Sequence, residues 1–161
     1  MTSMKPTIVN IKLGHTYDIY CGRAGKGEDG YLGNPFVIGE ISRRSYQDFI
    51  MPLALVGEYV ASRALAIALH DRYLKFRCTF DTEFAQRVLN CRGKVLGCFC
   101  APQPCHADNI VKLIESMKCA VCNEEPATYA MSPKEYAITV HEENAHLYDA
   151  ENLILCSGCA Q

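Results

Sequence analysis

Cys98, Cys100, Cys105 and His106 fall within nine residues, in the run Gly97-Cys98-Phe99-Cys100-Ala101-Pro102-Gln103-Pro104-Cys105-His106-Ala107-Asp108. Residue types alone leave three kinds of chemistry open. The thiols and imidazole can hold zinc, and a site with three protein ligands and an open position activates water. Neighbouring Cys105 and His106 are expected to reach the same ion only with strain. Alternatively Cys105 is a nucleophile, because a cysteine at a helix N-terminus beside an imidazole has its thiolate stabilised. In the third reading the thiols only pack in a loop of small residues. Pro102 and Pro104 each fix φ and bias the preceding residue away from helix, so in every case a stiff loop presents the thiols.

A second constellation lies towards the C-terminus. Cys119-x-x-Cys122 and Cys156-x-x-Cys159 are separated by 33 residues. That pairwise spacing lets two turns each supply two thiolates to one tetrahedral zinc. With strand-like Ala127 to Met131 and Tyr136 to Val140 between them, residues 119–161 resemble a zinc ribbon. Four thiolates leave no position for water, so this zinc is expected to be structural. A module of that size has too small a core to hold by itself, and metal binding becomes much of its folding free energy. His141 and His146 are read as solvated side chains.

The elements that must position the first constellation follow from periodicity and punctuation. Thr7 to Leu13 and Tyr17 to Cys21 read as strands, paired as a hairpin or as neighbours. Gly22 to Gly39 is a long glycine-rich loop, of the kind that is usually functional or mobile. Apolar residues at Leu55, Tyr59, Leu65, Leu69 and Leu74 predict an amphipathic helix between Leu53 and Phe76. A second helix is expected from Thr82 to Leu89, capped by Asp81 or Thr82. Lys94 to Cys98 reads as a buried strand delivering the cysteine loop, and His106 to Met117 as a third helix. Strand, loop and helix in that order define an α/β domain, a small sheet with packed helices, in which ligands gather beyond the C-terminal ends of the strands. The chain thus divides into an α/β domain, 1–118, and a β-rich zinc ribbon, 119–161.

Charge separates the same two parts. Residues 1–118 carry 15 Lys and Arg against 11 Asp and Glu, whereas residues 119–161 carry one Lys against 7 acidic residues. An acidic segment repels phosphate, so a nucleotide or nucleic-acid site belongs on the first part. No run approaches the roughly 20 apolar residues of a membrane span, and Met1 to Lys12 lacks the order of a signal peptide, so a cytoplasmic location is expected. Ten cysteines without an export signal, in close pairs, point to metal rather than disulfides.

Three separated motifs also carry a resemblance. Tyr17-Asp18-Ile19-Tyr20-Cys21-Gly22-Arg23, then Leu32-Gly33-Asn34-Pro35-Phe36, then Arg92 to Asp108 are similar to the signature of an uncharacterised family, a domain of unknown function common in bacteriophages and bacteria. The resemblance spans about residues 7 to 117. It implies a compact α/β domain in which the Gly-Arg and Gly-Asn-Pro-Phe motifs meet the cysteine loop, but no established activity. Its motifs supply candidate site residues: Cys105, His106 and Asp108 as the reactive group, with Gly22, Arg23, Gly33, Asn34, Phe36, Arg92, Cys98 and Cys100 around the ligand. This chain departs from the pattern at Cys91 and in the insertion Ala24 to Tyr31.

Arg23 after a strand end, in a glycine-rich loop, suits phosphate or carboxylate, unless it pairs structurally with Asp18 or Asp108. The helix starting near His106 adds a positive dipole end. The expectation is a phage-type, zinc-binding protein acting on or binding a nucleotide, nucleoside or nucleic-acid base, its reaction undetermined. The alternative is a non-enzymatic adaptor or inhibitor that binds a basic or host protein through the acidic ribbon. One structural zinc is expected at Cys119, Cys122, Cys156 and Cys159, and a second is possible at the Cys98 loop.

Overall fold

The computed structural model describes residues 5–46, 49–118, 129–131 and 153–155. At its centre is a three-stranded sheet in which β5 (Val95–Cys98) pairs in parallel with β1 (Thr7–Asn10) on one side and β2 (Ile19–Tyr20) on the other. Thr7 and Ile19 face Val95 and Leu96 in register, so all three strands run out at one end of the sheet. β1 and β2 are therefore not paired with each other, contrary to the hairpin reading. Gly14, at φ 76, ends the 3₁₀ turn Ile11–Leu13 that follows β1, and a two-residue hairpin would have needed no such detour.

Three helices cover the sheet. α1 runs Arg63–Phe80, α2 Thr82–Leu89 and α3 Ala107–Ser116. The start of α1 lies ten residues beyond the position that apolar spacing predicts, because Ser62 is the cap, its hydroxyl accepting from the Leu65 amide at 3.2 Å. Leu53–Leu55 is instead a 3₁₀ turn, and Gly57 at φ 80 interrupts any helix there. The bounds of α2 match the expectation, with Asp81 as cap, its carboxylate accepting from the Phe84 amide at 2.9 Å. A short antiparallel pair, β3 (Ser45–Tyr46) with β4 (Phe49–Ile50), leans an aromatic edge against α1.

One buried cation organises the helical side of the core. Arg77 of α1 is 1% exposed, yet its Nε reaches Asp81 at 3.0 Å and its Nη1 donates to the Tyr73 hydroxyl. The rings of Tyr31, Phe49 and Phe84 lie 4.3 to 5.1 Å from the guanidinium carbon. Aromatic faces and one carboxylate thus replace the water that Arg77 gave up. Burial pushes the Tyr73 phenol up to about 12, so its oxygen stays protonated and can accept from Arg77.

Farther along the chain, β6 (Tyr129–Met131) pairs antiparallel with β7 (Leu153–Leu155), and the Ala130 amide donates to Gln86 of α2 at 2.9 Å. The zinc-ribbon cysteines Cys119, Cys122, Cys156 and Cys159 lie outside the described residues, as does the expected strand Tyr136 to Val140. Among the described residues, no helix is long and apolar enough to cross a membrane.

Asp81 caps α2 and also neutralises Arg77, so Asp81→Ala is expected to cost about 3–5 kcal/mol. Asp81→Asn still caps and should cost less. Urea denaturation of the two variants reads the difference.

Candidate functional site

Beyond the C-terminal ends of β2 and β5 lies a cleft of about 510 Å³. Its floor is Cys98, at the last position of β5, together with Cys100 and His106. One wall is aromatic and apolar, from Tyr17, Tyr20, Phe99, Ile11 and Ile38. The other is the start of α1 with Arg63, Ala66 and Ile67, and the glycine-rich loop closes the site with Arg23, Lys26, Glu28 and Asn34.

Backbone geometry explains the cysteine loop. The Ala101–Pro102 peptide is cis, the Gln103 amide donates to the Cys100 carbonyl at 3.0 Å, and Asn10 Nδ2 ties Ala101 to the end of β1. The chain then enters α3 at His106. Asp108 reaches back, its carboxylate accepting from the Cys105 amide at 2.9 Å, so it fixes the first turn rather than facing the cleft.

His106 is buried, and its Nε2 lies against the carbonyl oxygen of Cys21. A carbonyl can only accept, so Nε2 carries the proton. Burial lowers the imidazole's pKa from its ordinary value, and the ring is neutral with a bare lone pair on Nδ1. That nitrogen faces the Cys105 sulfur at 3.8 Å. Cys105 and Cys98 are both buried, their sulfurs 2.9 Å apart. The two thiols titrate as a pair: the hydrogen bond from Cys105 lowers the Cys98 thiol below its ordinary range, while Cys105, as the donor, is pushed up. The Cys98, Cys105 and His106 ligand atoms all lie within 4.8 Å of one another, so the cluster could hold a metal ion. Consecutive Cys105 and His106 therefore do converge, because the turn into α3 points both side chains to the same side.

The other motif residues divide between the cleft and its frame. Arg23 Nε and Nη2 donate to the carbonyls of Asn34 and Phe36, both at 2.8 Å, so this arginine braces the Gly-Asn-Pro-Phe turn and pairs with neither Asp18 nor Asp108. Among the described residues its Nη1 has no hydrogen-bond partner, and the side chain lines the cleft. Asn34 Oδ1 accepts from the Phe36 amide at 2.9 Å and its Nδ2 donates to Ala66 of α1 at 3.0 Å, fastening the loop to the helix. Phe36 is in the core, edge-on to Tyr73. Gly33 passes so close to the Gly22 carbonyl that a β-carbon would fall 2.5 Å from that oxygen. Gly22 leaves room for the Tyr20 ring. Arg92 stands apart: its guanidinium donates to Ile114 and Met117 at the C-terminal end of α3, so it caps that helix and does not line the cleft. Cys91 is packed in the core.

Sequence reading missed Lys26, Arg63, Phe99 and the Tyr17 and Tyr20 rings as cleft residues, and it missed His70. The histidine's position among Ala66, Leu69, Tyr73 and Leu74 on the buried face of α1 was the available signal. Its ring stands edge-on to His106 with centroids 5.0 Å apart, Nδ1 faces Asn109 Nδ2 at 3.3 Å, and Nε2 has no hydrogen-bond partner among the described residues. Burial drives its pKa well down, so it too is neutral.

A mixed α/β protein with a cationic, thiol-floored cleft at the end of a small parallel sheet is the class these features define. The chain belongs to the family described as a domain of unknown function (DUF4326), whose model matches residues 9–116. No curated protein and no solved structure matches the chain.

Cys98 owes its low value chiefly to the Cys105 hydrogen bond. Stability from that shift is complete above the ordinary thiol range and is lost as pH falls through the lowered value. In chelator-treated protein the ultraviolet absorbance of the thiolate is expected to show a step below the ordinary thiol range. Cys98→Ser should abolish that step and Cys105→Ala should move it upward.

Proposed function

We propose that the cleft binds a nucleotide or the nucleotide unit of a nucleic acid, phosphate against the cations and base against the aromatic wall. The observation that supports this most is the pairing of three cationic side chains, Arg23, Lys26 and Arg63, with three aromatic rings in one cleft. Among the described residues none of the three cations forms an ion pair, although Arg63 also lies 3.4 Å from the Pro104 carbonyl. Glu28 is the one carboxylate in the lining, and its Oε1 accepts from the Tyr17 hydroxyl at 2.8 Å. The N-terminal ends of α1 and α3 add positive potential. Phe99 is 40% exposed and stands edge-on to Tyr20, with the Lys12 ammonium 5.8 Å from its ring, a surface on which a base can stack.

Cys98 and Cys100 line the cleft and Cys105 does not, so in this reading they are the cysteines nearest to such a ligand. In this reading residues 119–161 form an accessory module in which Cys119, Cys122, Cys156 and Cys159 hold a structural zinc.

Titration calorimetry with ribonucleoside and deoxyribonucleoside monophosphates tests the proposal. Phe99→Ala is expected to weaken binding by about 1–3 kcal/mol, the usual worth of a base–aromatic stack. Lys26→Ala and Arg63→Ala should weaken it and flatten its dependence on salt. Absence of binding by every monophosphate, or variants that bind like the wild type, overturns the reading.

A further inference from the structure

The cleft floor supports a second inference, whose metal-binding half stands whether or not a nucleotide is the ligand. We propose that Cys98, Cys105 and His106 hold one zinc ion whose fourth coordination position opens into the cleft. The three ligand atoms already form a constellation with no separation above 4.8 Å. A tetrahedral zinc with bonds of about 2.3 Å to sulfur and 2.0 Å to nitrogen keeps its ligand atoms about 3.5–3.8 Å apart. The 3.8 Å between Cys105 Sγ and His106 Nδ1 fits as it stands. The two sulfurs, at 2.9 Å, need to part by less than an ångström, about what side-chain torsions allow.

The outer contacts are those a metal-bound histidine needs. Ligating imidazoles almost always donate their second N–H to a carbonyl or carboxylate, which fixes the tautomer and aims the lone pair at the ion. His106 does this through Nε2 and the Cys21 carbonyl, at the exit of β2, leaving Nδ1 directed at Cys105. Cys21 is itself held by its amide, which donates to Gly97 of β5 at 2.9 Å. All three ligands therefore sit on the sheet end and the first turn of α3, elements whose relative position the backbone already determines.

Chemistry selects the ion. Two thiolates and an imidazole form a borderline-soft set suited to zinc and poor for magnesium or calcium. Among the described residues no lysine or arginine bonds to either buried sulfur, so a divalent ion is the charge partner this cluster lacks. Cys98 and His106 line the cleft and Cys105 does not, which directs the remaining position towards the cleft. Cys100 also lines the cleft and its side chain hydrogen-bonds to Cys98, but it is outside the group whose ligand atoms all lie within 4.8 Å of one another, so in this proposal the fourth position goes to water or an incoming ligand. A zinc so placed can polarise an oxygen of a bound ligand or lower the pKa of its own water.

Elemental analysis of the full chain, with zinc supplied during expression, gives the first readout. Wild type and Cys100→Ser are expected to hold one zinc per chain more than Cys98→Ser and Cys105→Ser. His106→Gln should lose affinity by more than the about 10–100-fold typical of losing an outer partner. Because a core variant can fail to fold, circular dichroism accompanies each. Cadmium NMR of the wild type, which needs no variant, should show a resonance from a two-sulfur site distinct from any four-sulfur one. Equal metal content in all variants, a different native metal, or no two-sulfur resonance overturns the site. Cyanide added to cobalt-loaded wild type should perturb the visible spectrum through the open position; an unchanged spectrum overturns that part. None of these outcomes depends on nucleotide binding.

Discussion

Parallel pairing of β5 with strands on both sides is the constraint from which the rest of the protein follows. Three parallel strands must end on the same side of the sheet, so Asn10, Cys21 and Cys98, far apart in sequence, arrive at one edge. Each is then committed by its backbone or its side chain. Asn10 holds the cysteine loop, Cys21 offers its carbonyl to His106, and Cys98 becomes the cleft floor. Gly97 completes the arrangement from within β5, since a β-carbon there would meet the Tyr17 ring. Each of these contacts therefore bears on a wall of the cleft as well as on the sheet.

The motif residues act mainly on one another's backbone. Arg23 donates to the Asn34 and Phe36 carbonyls, Asn34 binds Phe36 and Ala66, and Asp108 binds Cys105. Groups so engaged are positioned, and a positioned loop has already lost the conformational entropy that ligand binding would otherwise cost. Among the described residues Lys26, Arg63 and Phe99 line the cleft without taking part in this bracing. Arg23 thus braces the loop with one part of its guanidinium while lining the cleft.

Two buried polar clusters obey opposite rules. Around Arg77 a carboxylate and a phenol accept from the guanidinium and several ring faces pack against it, so the cation's charge is compensated within the core. Around Cys98, Cys105, His106 and His70 the groups are only partly answered: two thiols titrate as a pair, and His70 Nε2 has no partner among the described residues. Incomplete satisfaction of this kind is expensive in a core and is expected where a ligand or ion completes the set. The α1 helix joins the two clusters, with Arg77 two turns from His70, so packing at one end holds the chemistry at the other.

What the sequence determined by itself was local. Alternation and punctuation located β5, α2 and α3 nearly to the residue, since each is short, bounded by Gly, Pro or a capping Asp, and strongly periodic. Side-chain types likewise marked the cysteine loop as a place for chemistry. Periodicity failed at Leu53 to Ser62, where apolar residues suit a helix but Gly57 and the Ser62 cap delay it. Tertiary structure alone decided that β1 and β2 flank β5, that Cys105 and His106 turn to one side, and that Arg63 and Phe99 join Arg23 while Arg92 leaves for the far end of α3. The physical reason is the same in each case: hydrogen-bond register and helix capping are settled by whichever distant carbonyl lies within about 3 Å, and no spacing along the chain records that distance.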